Sequence, residues 1–400
     1  MPNLKEPSGK QRISSIDILR GVIMLIMALD HTRDFFHIAG ATSDPTDMAT
    51  TTPILFFTRW ITHFCAPNFV FLSGISASIA GMRRTKSELS AFLVQRGLWL
   101  VFVEVIILTF AFTLNPFYNF VILQVLWVIG LSMVILGLLV KLPLKVIAII
   151  GALIFFSHDL FDYLHLPESG AEATLMKLFF VARGSVLPIN QTHFIFDLYA
   201  LVPWTGVMLL GYVCGAMYQA SFNPLRRRKI LLYSGLAAIT LFVVLRYFNL
   251  YGDPDPWSAQ RDGTYTFLSF LNVSKYPPSL MYSLITIGAG LVTLSLTEKV
   301  QNKFTAIFIV YGSVPFFYYV LHFYLLRIVN VAVFYLQGFG SKDIVDQKHQ
   351  NPFNFDPPHF GFNLGGVYIV WLCVIIALYF PCRWFSRYKK THKQWWLSYL

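Results

Sequence analysis

The sequence predicts an all-α fold, a polytopic transmembrane helical bundle of about ten spans with both termini on the cytoplasmic side. Three observations predict it. Apolar stretches of about 20 residues, the length that crosses a bilayer as helix, recur throughout the chain. The 400 residues are 56% hydrophobic and only 13% charged, with a mean hydropathy of +0.59, whereas a soluble domain carries roughly 25% charged residues. Lys and Arg gather in alternate connections, while the connections between them hold Asp, Pro, His and Asn.

Taken in order, the first stretch is 16–36. It is too long for a signal-peptide core, carries Arg20 and lacks a small-residue cleavage site, so it reads as an uncleaved span. The second, 57–81, contains Pro67, expected to bend the helix just below His63. The third, 92–114, holds Arg96 and Glu104. The fourth and fifth, 118–140 and 144–161, are joined by a short loop with Lys141 and Lys145. The sixth, 197–218, leads into Arg226, Arg227, Arg228 and Lys229, after which come 230–249 and 279–297. The ninth, 313–337, contains His322, and the tenth, 366–384, runs into Arg383, Arg387, Lys389, Lys390 and Lys393. With Lys5, Lys10 and Arg12, then Arg83, Arg84 and Lys86, and later Lys299 and Lys303, these clusters fall on one side. An even number of spans agrees with two cytoplasmic termini. The expected organisation is a cytoplasmic tail at 1–14, a transmembrane domain at 15–385 and a basic cytoplasmic tail at 386–400.

Three connections, near 162–196, 250–278 and 338–365, are long, and they contain GDPDPWSAQRDG and NPFNFDPPHFGFNLGG, whose Pro, Gly and Asp content means turns rather than helix. Long loops on one face either cover a site or act as solvated linkers. The net charge of +11 does not form a basic face with interleaved aromatics, so no nucleic-acid partner is expected. Cys65, Cys214, Cys373 and Cys382 all fall in or at the end of spans and read as packing residues; no metal is expected.

Function is sought in the ionisable residues within spans. One at the centre of a span costs about 2.5–3.5 kcal/mol on insertion scales and needs a partner or a wet cavity. In the first span Asp17, Arg20, Met24, Met27, His31 and Asp34 recur every three or four residues and share a helical face. Arg20 and His31 are separated by ~16 Å along the axis. Two layers result. Arg20 and Arg96 lie toward the cytoplasm; Asp30, His31, Asp34, Arg59, His63 and Glu104 lie toward the outside, and His322 falls between. The weaker alternatives are an interhelical ion-pair role for Arg96 and Glu104, and a solvated helix end for Asp30, His31, Arg33, Asp34 and His37.

A neutral imidazole can take a proton from a hydroxyl or amine and return it. Asp34, one turn from His31, is placed to fix its tautomer. Guanidinium groups near the cytoplasm suit a phosphate-bearing donor.

The string SIDILRG, followed by apolar turns and Asp30-His31, resembles the first span of membrane acyltransferases. It is most similar to bacterial relatives of the catalytic domain of heparan-α-glucosaminide N-acetyltransferase. APNFVFLSG (66–74), FDLYALVPWTGVMLLGY (196–212), KYPPSLMYSLITIG (275–288) and VPFFYYVLHFYL (314–325) extend the resemblance over the membrane core. The resemblance implies a bundle of about ten or eleven helices that uses acyl-CoA. The related acyltransferase-three group carries an arginine and a histidine in its first helix at the spacing of Arg20 and His31, which implies donor and base roles for them. Donor binding is thus expected of Arg20, Arg96 and His322, and catalysis of His31, Asp34, Asp30, His63 and Glu104. Acceptor binding is expected of Arg59, His37, Asp197 and Lys275. The animal lysosomal enzyme has asparagine in place of His31 and its catalytic histidine eleven residues on, where this chain has Thr42. The nearest loop histidine is His37, so an acetyl-histidine intermediate does not carry over, and direct transfer is the simpler expectation.

The expected function is therefore an integral membrane acyltransferase of a bacterial inner membrane. It moves an acyl group, acetyl foremost, from cytoplasmic acyl-CoA to a hydroxyl or amine of an extracytoplasmic glycan or lipid-linked sugar. Its partners are acyl-CoA, that acceptor and membrane lipid; the sequence leaves the oligomer open. A proton-coupled transporter would also bury Asp, Glu, His and Arg, but no inverted repeat or pair of broken helices is visible. A non-catalytic partner in an envelope-polymer complex is the third reading.

Overall fold

The computed structural model describes residues 13–38, 40, 43–163, 170–181, 185–345 and 353–398. Lys5, Lys10, Arg12 and Thr42 lie outside the described residues. Helix α1 (Ser14–Phe36) is followed by α2 (Pro53–Thr62) and α3 (Cys65–Gly81), then α4 (Lys86–Phe102), a π-helical turn (Val103–Leu108) and α5 (Thr109–Thr113). Strand β1 (Phe120–Leu123) precedes α6 (Val125–Leu139), α7 (Leu144–Ser157) and α8 (Gly170–Phe179). Strands β2 (Ser185–Pro188) and β3 (Phe194–Asp197) lead to α9 (Leu201–Gly215), α10 (Pro224–Tyr247), α11 (Gly263–Leu271) and α12 (Leu280–Thr297). The described chain closes with α13 (Lys303–Gly312), α14 (Pro315–Leu336) and α15 (Leu364–Thr391).

Each apolar stretch read from the sequence is occupied by helix. Among the described residues eight helices are long and apolar enough to cross a membrane. Helix α6, with 15 residues, and the charged α1 fall outside that set. Large apolar side chains such as Leu98, Ile149, Leu153, Ile369, Ile376 and Phe380 face outward, as an integral membrane protein requires.

The second span breaks at His63–Phe64, just below His63, and α3 restarts at Cys65. Pro67 occupies the first turn of α3, where its missing N–H removes no helical bond. One boundary differs from the sequence expectation: the fourth stretch does not begin as helix. Phe120–Leu123 pairs in parallel with Phe194–Asp197, which pairs antiparallel with β2, giving a small sheet of order β1-β3-β2.

Helix α1 packs against α2, α3, α12, α13, α14 and α15 and forms the centre of the bundle. Around it α3 pairs with α9, α4 with α6, and α10 with α12. Lys86 donates from its ammonium to the Lys141 carbonyl at 2.8 Å, so two basic connections meet at one end; this is the basic end below.

Two close crossings fix the arginines read from the sequence. A Cβ on Gly21 would lie 1.9 Å from the Phe308 carbonyl oxygen, and one on Gly97 would lie 2.4 Å from that of Gly130. Only glycine admits these approaches, which seat α13 on α1 and α6 on α4. Arg20 and Arg96 each precede one of these glycines.

Candidate active site

The bundle contains a cavity of about 100 Å³ between α1, α3, α4, α6 and α14. Arg20, Arg96 and Ser73 supply its polar wall. Met24, Phe69, Leu126, Met133 and Phe316 supply apolar wall, and Tyr319 borders it too. Arg20 is held by Ser76 Oγ at 2.9 Å, by the Gly312 carbonyl at 3.3 Å and by Asp17 at 3.4 Å. The two arginines thus share one cavity, although their helices are far apart in sequence.

From Tyr319 a chain of contacts leads to His31. The Tyr319 carbonyl accepts from Nδ1 of His322 at 2.5 Å, and His322 Nε2 lies 2.8 Å from Nδ1 of His31. A carbonyl only accepts, so Nδ1 of the neutral His322 ring carries the hydrogen and Nε2 carries the lone pair. His31 must then donate from Nδ1, which leaves the lone pair on its own Nε2. Phe323, with its centroid 4.3 Å from that of His31, packs against this imidazole.

This geometry corrects the role expected of Asp34. Its carboxylate is half exposed and accepts from Arg33 at 2.5 Å. The bond that sets the His31 tautomer goes to His322, because α14 packs directly on α1. His322 accordingly sits beside His31 instead of on the arginine cavity, whose lining omits it.

Next to His31 in the chain, Asp30 is buried at the centre of three cations. One nitrogen of Arg59 donates to both carboxylate oxygens at 2.7 Å. Arg33 lies at 3.0 Å and Lys275 Nζ at 3.7 Å. Lys275 also stands over the Tyr276 ring, 5.1 Å from its centroid. The alternative of a solvated helix end does not hold for Arg33, which is 4% exposed, because its reach back to Asp30 draws it into the bundle.

Arg59, His63, Lys275 and Tyr276 line a second cavity, of about 240 Å³, with Asp44, Asp255 and Asn272 at its wall. His63 caps the C-terminus of α2 at the break; its carbonyl accepts from the Tyr282 hydroxyl at 2.9 Å, and Tyr282 also packs on its ring. The extra loop 250–278 reaches this cavity because Arg246 gathers it. The buried guanidinium donates to the carbonyls of Asp255 at 2.8 Å, Phe270 at 3.0 Å, Ser269 at 3.0 Å and also Asn272.

The remaining expected residues stand apart from this chain of contacts. Glu104 is fully buried in the π-helical turn and accepts from the amides of Leu126 at 2.8 Å and Trp127 at 3.3 Å, capping α6. Asp197 ends β3, accepts from the Tyr199 amide at 3.3 Å, and burial pushes its carboxyl up to about 7. His37 ends α1 in an isolated bridge with Phe362. Among the described residues no group of three His, Cys, Asp or Glu side chains is gathered as a metal would need.

Sequence reading missed Arg246, Tyr319 and the burial of Arg33. The rule that singled out Arg20 and Arg96, an arginine within an apolar run, would have singled out Arg246 as well.

A comparison with curated proteins finds no match for this chain. The family model for heparan-alpha-glucosaminide N-acetyltransferase, catalytic, matches residues 12–245. That segment contains Arg20, Asp30, His31, Arg59, His63 and Arg96, while Lys275, Tyr319 and His322 come from the part beyond it. With more than half of its length matched, the chain belongs to the catalytic family of heparan-alpha-glucosaminide N-acetyltransferase and is a membrane acyltransferase.

Proposed function

We propose that this acyltransferase takes an acyl group, acetyl in the simplest case, from cytoplasmic acyl-CoA. It passes the group to a hydroxyl or amine of a glycan or lipid-linked sugar on the far side of a bacterial inner membrane. The observation that carries this reading is the His31–His322 contact, reached from the arginine cavity through Tyr319 and from the second cavity through Asp30. The basic end faces the cytoplasm by the distribution of Lys and Arg. Arg20 and Arg96 then bind the phosphate-bearing donor, and the acceptor occupies the cavity of Arg59 and Lys275.

In the reaction the acceptor oxygen or nitrogen attacks the thioester carbonyl carbon while its proton passes to Nε2 of His31. His322 orients the imidazole and shares the charge of the imidazolium through the Nδ1–Nε2 hydrogen bond. The tetrahedral carbon then expels sulfur, the C–S bond breaks, and His31 returns the proton to the CoA thiolate. Asp30 offsets part of the charge of the three neighbouring cations, which favours a proton on His31. Transfer is direct, and His37 carries no acetyl group.

The test uses proteoliposomes of sorted orientation with acetyl-CoA outside. Free thiol should appear where the basic end faces the donor and a glucosamine acceptor is enclosed. Absence of thiol release in both orientations would overturn the reading.

A further inference from the structure

Tyr319 occupies a place that its neighbours do not explain. Its side chain borders the cavity of Arg20 and Arg96, and the residue is 4% exposed. Its hydroxyl is buried and has no hydrogen-bond partner among the described residues. A buried hydroxyl left without a partner costs free energy, and native proteins retain few of them. The same residue's carbonyl fixes His322, whose ring holds His31. Its ring packs on His322 and Phe323, with centroids 5.5 and 5.1 Å away. Tyr318 makes a useful contrast. Its hydroxyl also lacks a partner, but its ring lies between His322 and Tyr311 and borders neither cavity.

We propose that Tyr319 is a catalytic residue, whose hydroxyl donates a hydrogen bond to the donor's thioester oxygen as that carbonyl carbon becomes tetrahedral. The proposal rests on the acyl-transfer reading above and adds to it the group that stabilises the oxyanion. When the acceptor attacks, the carbonyl π pair moves onto oxygen and the Tyr319 hydrogen bond strengthens without transfer of the phenolic proton. When the C–S bond breaks, the pair returns, the carbonyl re-forms on the acceptor, and the hydroxyl is left as it began. Base and oxyanion donor are then coupled, since the backbone of one residue holds the histidine pair while its side chain meets the substrate. A donor already in place, in a water-poor site, acts without reorganisation.

Tyr319→Phe removes only the hydroxyl. Because that group bonds nothing in the resting protein, the variant should fold, with an unfolding midpoint equal to or above that of the parent. The deciding measurement is isotope-edited infrared spectroscopy of acetyl-CoA carrying a ¹³C thioester carbonyl, bound to both proteins. The parent should show a carbonyl band shifted to lower frequency than free acetyl-CoA, and the variant a band shifted back toward the free value. Thiol release should fall by about 10²–10³-fold, the usual loss for one oxyanion donor, at unchanged acetyl-CoA affinity. Identical band positions, or equal thiol release, in parent and variant would overturn the role of Tyr319 and leave the acyltransferase reading standing. A parent protein that binds no acetyl-CoA and releases no thiol would overturn both.

Discussion

His31 and His322 lie on helices distant in sequence, yet their ring nitrogens, Nδ1 of one and Nε2 of the other, are 2.8 Å apart. The contact fixes which nitrogen of His31 is basic. His322→Ala should therefore slow transfer by about 10²-fold, at the low end of the usual contribution of a positioned base. His322→Gln, which can still accept from Nδ1, should recover part of the rate. Acyl-CoA affinity should not change in either variant. Equal losses in Ala and Gln variants, with a lowered unfolding midpoint, would make His322 a packing residue.

Asp30 is the counter-charge of Arg33, Arg59 and Lys275. Asp30→Asn takes the shared carboxylate from buried Arg59 and Lys275, Arg33 keeping only the half-exposed Asp34, and should lower stability by about 3–5 kcal/mol. Denaturant unfolding in detergent measures this directly. Arg59→Ala should be less damaging, since Arg33 and Lys275 still face Asp30.

The crossing at Gly21 ties packing to donor binding. Gly21→Ala drives a methyl into the Phe308 carbonyl, 1.9 Å from its ideal position, and should cost about 1–3 kcal/mol as α13 moves away. Arg20 donates to the Gly312 carbonyl on that same helix, so acyl-CoA affinity should fall as well. Gly263→Ala, where nothing lies within 4 Å of the new Cβ, should change neither quantity. Calorimetry with acyl-CoA checks the pair.

The Asp197 carboxyl, raised from an ordinary value of 3.8 to about 7 by burial, makes stability depend on pH in a stated direction. Between these values the unfolded chain has lost this proton and the folded chain retains it. Its contribution to stability is therefore fully present below about 3.8 and is lost as pH rises toward about 7. Asp197→Asn should remove that downward slope. Unfolding midpoints of the two proteins across this range are the measurement, and parallel slopes would contradict the assignment.

The helical bundle was legible because length and apolarity alone mark a stretch able to cross a bilayer. What length cannot mark is a short apolar run that becomes a strand. Phe120–Leu123 is as apolar as the helix after it, and its pairing with β3 depends on residues more than seventy positions away. The break at His63 was legible because Pro67 lacks the N–H that would bond the His63 carbonyl, and in the first turn of α3 the proline is harmless.

At the site, helical periodicity brought Arg20 and His31 to one face. The grouping of Asp30 with Arg59 followed from the opposite directions of the first two spans. The His31 partner was out of reach, because which helix packs on α1 is a tertiary fact. Asp34 looked better placed by sequence, but a neighbouring arginine held it. Tyr319 gave no signal at all, being one aromatic among many in VPFFYYVLHFYL, and only its unpartnered hydroxyl beside a cavity distinguishes it.

The central claim is that His31 is the base of a direct transfer. Its most direct test is the turnover of purified His31→Ala with acetyl-CoA and glucosamine, measured as free thiol beside the parent protein. Turnover should fall by about 10²–10⁴-fold at unchanged acetyl-CoA affinity and with a normal size-exclusion profile. Turnover equal to that of the parent would contradict it.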